Sequence, residues 1–151
     1  REVTSALEHS EDLMVHLLHG DEEEVASCVA EIHEQNTSIL KYNDENSLAC
    51  VLSLAFYTAR NRYEIIRELP TGKGFADIVL LPHRNVDVPA VVLELKWNEK
   101  AETAISQIKR QNYVKPLMHY VGDVILVGIN YDKHSKKHSC KIETVKKEIT
   151  I

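Results

Sequence analysis

Three charged side chains stand in or beside strongly apolar runs. Asp77 lies in Gly74-Phe75-Ala76-Asp77-Ile78-Val79-Leu80-Leu81, and seventeen residues later Glu94 and Lys96 lie in Val91-Val92-Leu93-Glu94-Leu95-Lys96. Carboxylates are the hard oxygen donors that hold a divalent cation such as Mg²⁺ or Mn²⁺, and a nearby amine can orient an attacking water or offset charge on a phosphate. These residue types suit metal-assisted hydrolysis of a phosphodiester bond. Glu-X-Lys alone is a weak signal, because a solvated same-face pair in a strand contributes little. The weight comes from the combination of a Gly-X-X-Asp strand start, an apolar Glu-X-Lys strand and a helix after it.

Such chemistry needs elements to hold it. Ile78 to Leu81 and Ala90 to Leu95 are short, nearly continuous apolar runs, the pattern of strands covered on both faces. Side chains alternate along a strand, so Glu94 and Lys96 should share a face, about 7 Å apart, with Leu95 on the other. Pro82 to Pro89, with Arg84, Asn85 and Asp87, reads as the turn joining the two runs. A hairpin of this kind would bring Asp77 beside Glu94. Upstream, Asn43 or Asp44 caps a helix predicted through Leu48, Val51, Leu52, Ala55 and Phe56. Arg62 to Leu69 reads as a strand ended by Pro70. Val121 to Ile129 is a second strongly apolar strand. Ser139 to Val145 alternates like a half-buried edge strand, with Cys140, Ile142 and Val145 inward and Lys141, Glu143 and Thr144 outward. The predicted order is helix, three strands, helix, two strands, an α/β fold.

The motifs resemble those of the PD-(D/E)xK nuclease superfamily. More narrowly, the stretch from about Tyr42 to about Lys146 looks like the nuclease-like domain at the C-terminus of bacterial AAA-ATPase-like proteins. In that family a Gly-rich turn leads into the Asp strand, matched by Thr71-Gly72-Lys73-Gly74-Phe75-Ala76-Asp77. Leu93-Glu94-Leu95-Lys96 matches the acidic strand, and Ala104 to Tyr113, with Gln107, matches a following helix that carries a Gln and a later Tyr. Phe75 stands where relatives usually have a basic residue, which puts one phosphate contact in doubt. The resemblance implies a restriction-endonuclease-like core (αβββαβ), a mixed central sheet flanked by helices. It also implies that Asp77, Glu94 and the backbone carbonyl of Leu95 hold Mg²⁺ or Mn²⁺. Glu45 would be a carboxylate on the first core helix, and Gln107 a site residue if its helix packs across the Glu94 strand. Both have plainer readings, Glu45 as a first-turn acid and Gln107 as an exposed amide.

Composition bounds the rest. With 151 residues, 44% of them hydrophobic, the chain can bury one sizeable core. No apolar run approaches a membrane span. Cys28, Cys50 and Cys140 are odd in number and widely spaced, which points to a reducing, cytoplasmic setting and lacks zinc-site spacing. The chain opens at Arg1 and reads as part of a longer protein. The net charge of −5 conceals an asymmetry: residues 1–50 hold 12 acidic and 2 basic side chains, residues 51–151 hold 11 and 16. Lys73, Lys96, Lys100, Lys109, Arg110 and Lys115 could line a phosphate-binding face, with Tyr113 beside them. Lys133, Lys136, Lys137 and Lys141 look like the charges of an ordinary hairpin.

Residues 1–40 read as an N-terminal helical extension, a linker or cap at the end of an ATPase-like region, and 41–151 as the nuclease-like domain. Gly20 ends one helix and Asp21 caps the next. His16 and His19 sit at helical spacing but lack ligand partners in register, so they read as surface or core histidines. The expected function is metal-dependent cleavage of nucleic acid, DNA favoured. The alternative is a catalytically dormant module of the same fold that binds nucleic acid or protein and regulates an attached ATPase-like domain. Many nucleases of this shape cut two strands as dimers, which makes a homodimer the assembly to test.

Overall fold

The apolar runs around Leu80 and Leu93 pair as an antiparallel hairpin at the middle of one sheet. A computed structural model describes residues 2–40, 57–67, 78–98, 100–110 and 120–147. Five strands lie in sequence order: β1 (Tyr63–Arg67), β2 (Ile78–Pro82), β3 (Ala90–Trp97), β4 (Gly122–Asp132) and β5 (Lys137–Lys147). The pairs β1–β2, β2–β3 and β4–β5 are antiparallel, whereas β3–β4 is parallel. A parallel pair cannot be joined by a tight turn, and helix α3 (Ala101–Arg110) lies in the connection. The sheet is mixed and the fold α/β, as the alternation of strand and helix signals predicted.

The helical extension is two antiparallel helices, α1 (Glu2–His19) and α2 (Glu22–Leu40). Gly20 stands between them at φ +75°, a conformation that costs glycine nothing, and its amide bonds the Leu17 carbonyl. Leu13 and Leu17, with Val25 and Val29 of α2, are fully buried against one face of the sheet. That face presents Val91, Leu93 and Leu95 from β3 and Ile125, Val127 and Ile129 from β4. Val15 of α1 is 52% exposed, because the Leu13–Leu17 stripe turns it toward solvent. Glu22 ties the extension to the sheet: its carboxylate accepts the Ile142 amide at 2.7 Å and lies 3.8 Å from Lys141 Nζ. Among the described residues no helix is long and apolar enough to cross a membrane.

Several boundaries differ from the sequence pattern. β4 runs to Asp132 and β5 begins at Lys137, because the long hairpin between them pairs fully up to its tip. Cys140 and Ile142 pack on the α1–α2 side, while Val145 packs on the opposite face with Tyr120, so the edge strand buries residues on both faces. The Pro82–Pro89 segment is a turn as predicted, with Asn85 at φ 68° and the Val86 amide bonding the His83 carbonyl. The helix predicted from Asn43 to Phe56, the Pro70 strand end and Cys50 lie outside the described residues.

Candidate active site

The second face of the sheet begins as ordinary core. Ala90 and Val92 of β3, Val124 and Leu126 of β4 and Val79 of β2 are buried with Ile105 of α3. Two residues further along β3 the same face turns polar. Glu94 is 0% and Lys96 3% exposed, with Leu95 buried on the other face as strand alternation requires. On β4 the matching positions are Gly128, in register with Glu94, and Asn130, in register with Lys96. Asn130 is 4% exposed. Glu94, Lys96 and Asn130 are the buried polar or charged side chains among the described residues, and they occupy two adjacent rows of one strand pair. Each engages in a hydrogen bond or electrostatic interaction. Glutamate and lysine almost never go fully inside unless paired, because desolvating a charge costs several kcal/mol.

Gly128 explains how a helix closes over this polar end. A Cβ there would collide with the Ala101 carbonyl oxygen and stand 2.9 Å from the Ala104 Cβ. Only a residue without a side chain lets α3 come down on β4 beside Glu94, and Ala101 and Ala104 are themselves small and buried. The strand ends are fastened just beyond. Asn98, at φ 57°, donates its amide to the Tyr131 carbonyl at 2.8 Å, and its side-chain oxygen accepts the Lys133 amide at 2.7 Å. The carboxyl ends of β3 and β4 are therefore held in fixed register next to Lys96 and Asn130.

Of the residues singled out by sequence, Glu94, Leu95 and Lys96 share β3 and are buried, while Lys100 is exposed just before α3. Gln107, Lys109 and Arg110 belong to α3, and their side chains lie outside the described residues. Asp77, Glu45, Lys73, Tyr113 and Lys115 also lie outside them. Lys133, Lys136 and Lys137 are exposed at the β4–β5 tip and Lys141 is half-buried along β5, as a charged hairpin would have them. His16 Nδ1 sits 3.5 Å from the Asp21 carboxylate. The sequence pattern ends the apolar run at Ile129 and passes over Asn130; its signal is an amide directly after the six residues Val124 to Ile129, apolar but for Gly128.

The donor set fits a hard divalent cation. The Glu94 carboxylate and the Leu95 backbone carbonyl are oxygen ligands of the kind Mg²⁺ and Mn²⁺ select. Among the described residues no three His, Cys, Asp or Glu side chains come together, and Mg²⁺ usually completes its sphere with waters and substrate oxygens.

Away from this face, the Tyr63 hydroxyl donates to the Pro89 carbonyl at 2.7 Å and is pushed up to about 12, by burial first and then by the Tyr120 phenol. Burial also raises the Cys140 thiol to about 12, with the Glu22 carboxylate adding to it. Cys28 and Cys140 are free thiols.

An antiparallel hairpin, a crossover helix and a parallel fourth strand, with acid-X-lysine buried on the helix-covered face, define a restriction-endonuclease-like α/β domain. Residues 43–141 match the family model of the PD-(D/E)XK nuclease superfamily, and the chain belongs to that superfamily. Its members are nucleases that generally use divalent metal ions. No curated protein matches the chain.

Proposed function

We propose that this protein is a metal-dependent nuclease that hydrolyses phosphodiester bonds, with DNA as substrate, and that Asp77, Glu94 and Lys96 carry the reaction. The observation that supports this most is the burial of Glu94 and Lys96 on one strand face that is otherwise apolar core. Charges are not kept in such a place for stability.

Asp77 is bonded to Ile78, and Ile78 pairs with Leu93, the residue before Glu94. Asp77 is the second carboxylate that the Gly-X-X-Asp motif of the sequence supplies for this site. Asp77, Glu94 and the Leu95 carbonyl would hold the ion. When bound, Mg²⁺ or Mn²⁺ lowers the pKa of a coordinated water and offsets charge on the scissile phosphate. Lys96 orients the attacking water or stabilises the charge that develops on the phosphate. The apolar shell of Val92, Leu126 and Ile105 excludes bulk water from the inner side of the site and strengthens these interactions. Gln107 and Glu45 assist, and Lys73, Lys100, Lys109, Arg110 and Tyr113 contact the nucleic-acid backbone.

Residues 1–40 act as a helical cap on the sheet, and 41–151 form the nuclease domain. The odd, separated cysteines fit a cytoplasmic setting. A homodimer would place two such sites on opposite strands of a duplex. The test is cleavage of linear, circular and single-stranded DNA with Mg²⁺ or Mn²⁺, comparing wild type with Asp77→Ala and Lys96→Ala. Metal-dependent cutting lost in both variants is expected; cutting retained by Asp77→Ala would overturn the assignment.

A further inference from the structure

We propose that Asn130 is a positioning residue whose side-chain carbonyl holds the Lys96 ammonium in place. Lys96 and Asn130 are partners in the parallel β3–β4 register, both point to the α3-covered face, and they are 3% and 4% exposed. Side chains opposed in this way on adjacent strands are immediate neighbours. A lysine has three donors and no acceptor, so a buried ammonium needs oxygens around it; an amide carbonyl supplies one without adding charge. The next row shows why the amide falls to β4. Gly128, beside Glu94, has no side chain to contribute and gives its space to Ala101 and Ala104, so the polar side chain that β4 offers on this face is Asn130, in register with Lys96. The Asn98 bonds to Tyr131 and Lys133 fix the register at this end of the two strands, so the amide and the ammonium meet on a rigid platform.

A buried amide can be satisfied in a second way, by donating to a backbone carbonyl, and the two roles answer differently to substitution. Asn130→Asp keeps the acceptor oxygen and removes the donor, whereas Asn130→Leu keeps the approximate volume and removes both. The part of the proposal that concerns cleavage rests on the nuclease reading; the coupling of Asn130 to Lys96 does not.

The experiment therefore has two arms. The first is a thermal-denaturation cycle of wild type, Lys96→Met, Asn130→Leu and the double variant. The proposal expects the double variant to lose clearly less Tm than the two single losses together, and additive losses would overturn it. The second arm is single-turnover cleavage of DNA with Mn²⁺. Asn130→Leu is expected to lower kcat by about tenfold or more with KM little changed, the scale of one lost charge-assisted hydrogen bond, and Asn130→Asp to restore most of it. Failure of both substitutions alike assigns Asn130 a purely structural role and overturns the proposal. If wild-type protein cuts no DNA with either metal, the nuclease reading falls, and the thermal cycle alone decides whether the amide holds the ammonium.

Discussion

The two faces of strand β3 were built from the same run of residues and do opposite things. Val91, Leu93 and Leu95 face α1 and α2 within one apolar cluster that runs from Leu13 to Tyr131. Ala90 and Val92 start the other face in the same way, but Glu94 and Lys96 follow them at equal depth. Burial is thus constant along both faces while polarity changes on one. The first face earns its place through stability. The second carries its charges at a cost that packing alone would not select, and that cost is what supports the proposal of a site there.

Substitutions at neighbouring residues of β3 should pull this contrast apart. Glu94→Gln keeps the shape of the side chain and is expected to remove metal-dependent DNA cleavage by about a thousandfold, ~4 kcal/mol of transition-state stabilisation. Its Tm should move by less than about 4 °C, the shift that ~1 kcal/mol produces in a domain of this size. Cleavage within about tenfold of wild type would contradict the division of labour between the faces. Leu93→Ala, one residue earlier on the opposite face, should cost about 2–5 kcal/mol of folding stability by opening a cavity beneath α1 and α2. Denaturant unfolding measures it, and cleavage per folded molecule should stay near wild type. Gly128→Ala tests the close contact that lets α3 cover the site. Overpacking there is expected to cost about 1–3 kcal/mol and to reduce cleavage as well, since α3 must back away from Glu94.

The smallest effect concerns pH and belongs to the apolar side alone. Tyr63 and Cys140 are both raised to about 12 in the folded protein, from ordinary values of 10.0 and 9.0. Each is neutral when protonated, so the stability it contributes is complete below its unfolded value and is lost as pH rises through the interval to about 12. Tyr63→Phe removes the hydrogen bond to Pro89, costs about 1 kcal/mol at neutral pH and flattens the loss above pH 10. A Tm-against-pH series for both proteins checks it; parallel alkaline limbs would show that Tyr63 does not contribute.

Much of this arrangement was legible in the sequence because alternation has a fixed period. Once Ala90 to Leu95 reads as a strand, Glu94 and Lys96 must share a face and Leu95 must oppose them. The hairpin to β2 followed from the Pro82–Pro89 turn chemistry, and the Gly20–Asp21 break separated α1 from α2. Hidden from it was everything that depends on which strands become neighbours. The parallel placement of β4 beside β3 brings Asn130 to Lys96 and Gly128 to Glu94, and no local pattern encodes that register. Val145, expected inward with Cys140 and Ile142, packs on the opposite face because the two-residue period puts it out of phase with them. Asp77, Glu45, Lys73 and Tyr113 remain expectations from sequence and family.

The parallel pairing of β3 with β4 also bears on how the molecule comes together in time. β4 and β5 meet through the short Lys133–Lys136 turn, and β2 and β3 through an equally local one, whereas Glu94 and Gly128 are 34 residues apart along the chain. Closing the longer loop carries the larger entropic cost, so the two hairpins should form first and dock late. Pulse-labelled hydrogen exchange during refolding should find amides of β4 and β5 protected before those from Glu94 to Trp97, and simultaneous protection would refute this order. A nascent chain would then carry two competent hairpins before it carried a competent site, and cleavage would begin only with the last docking step.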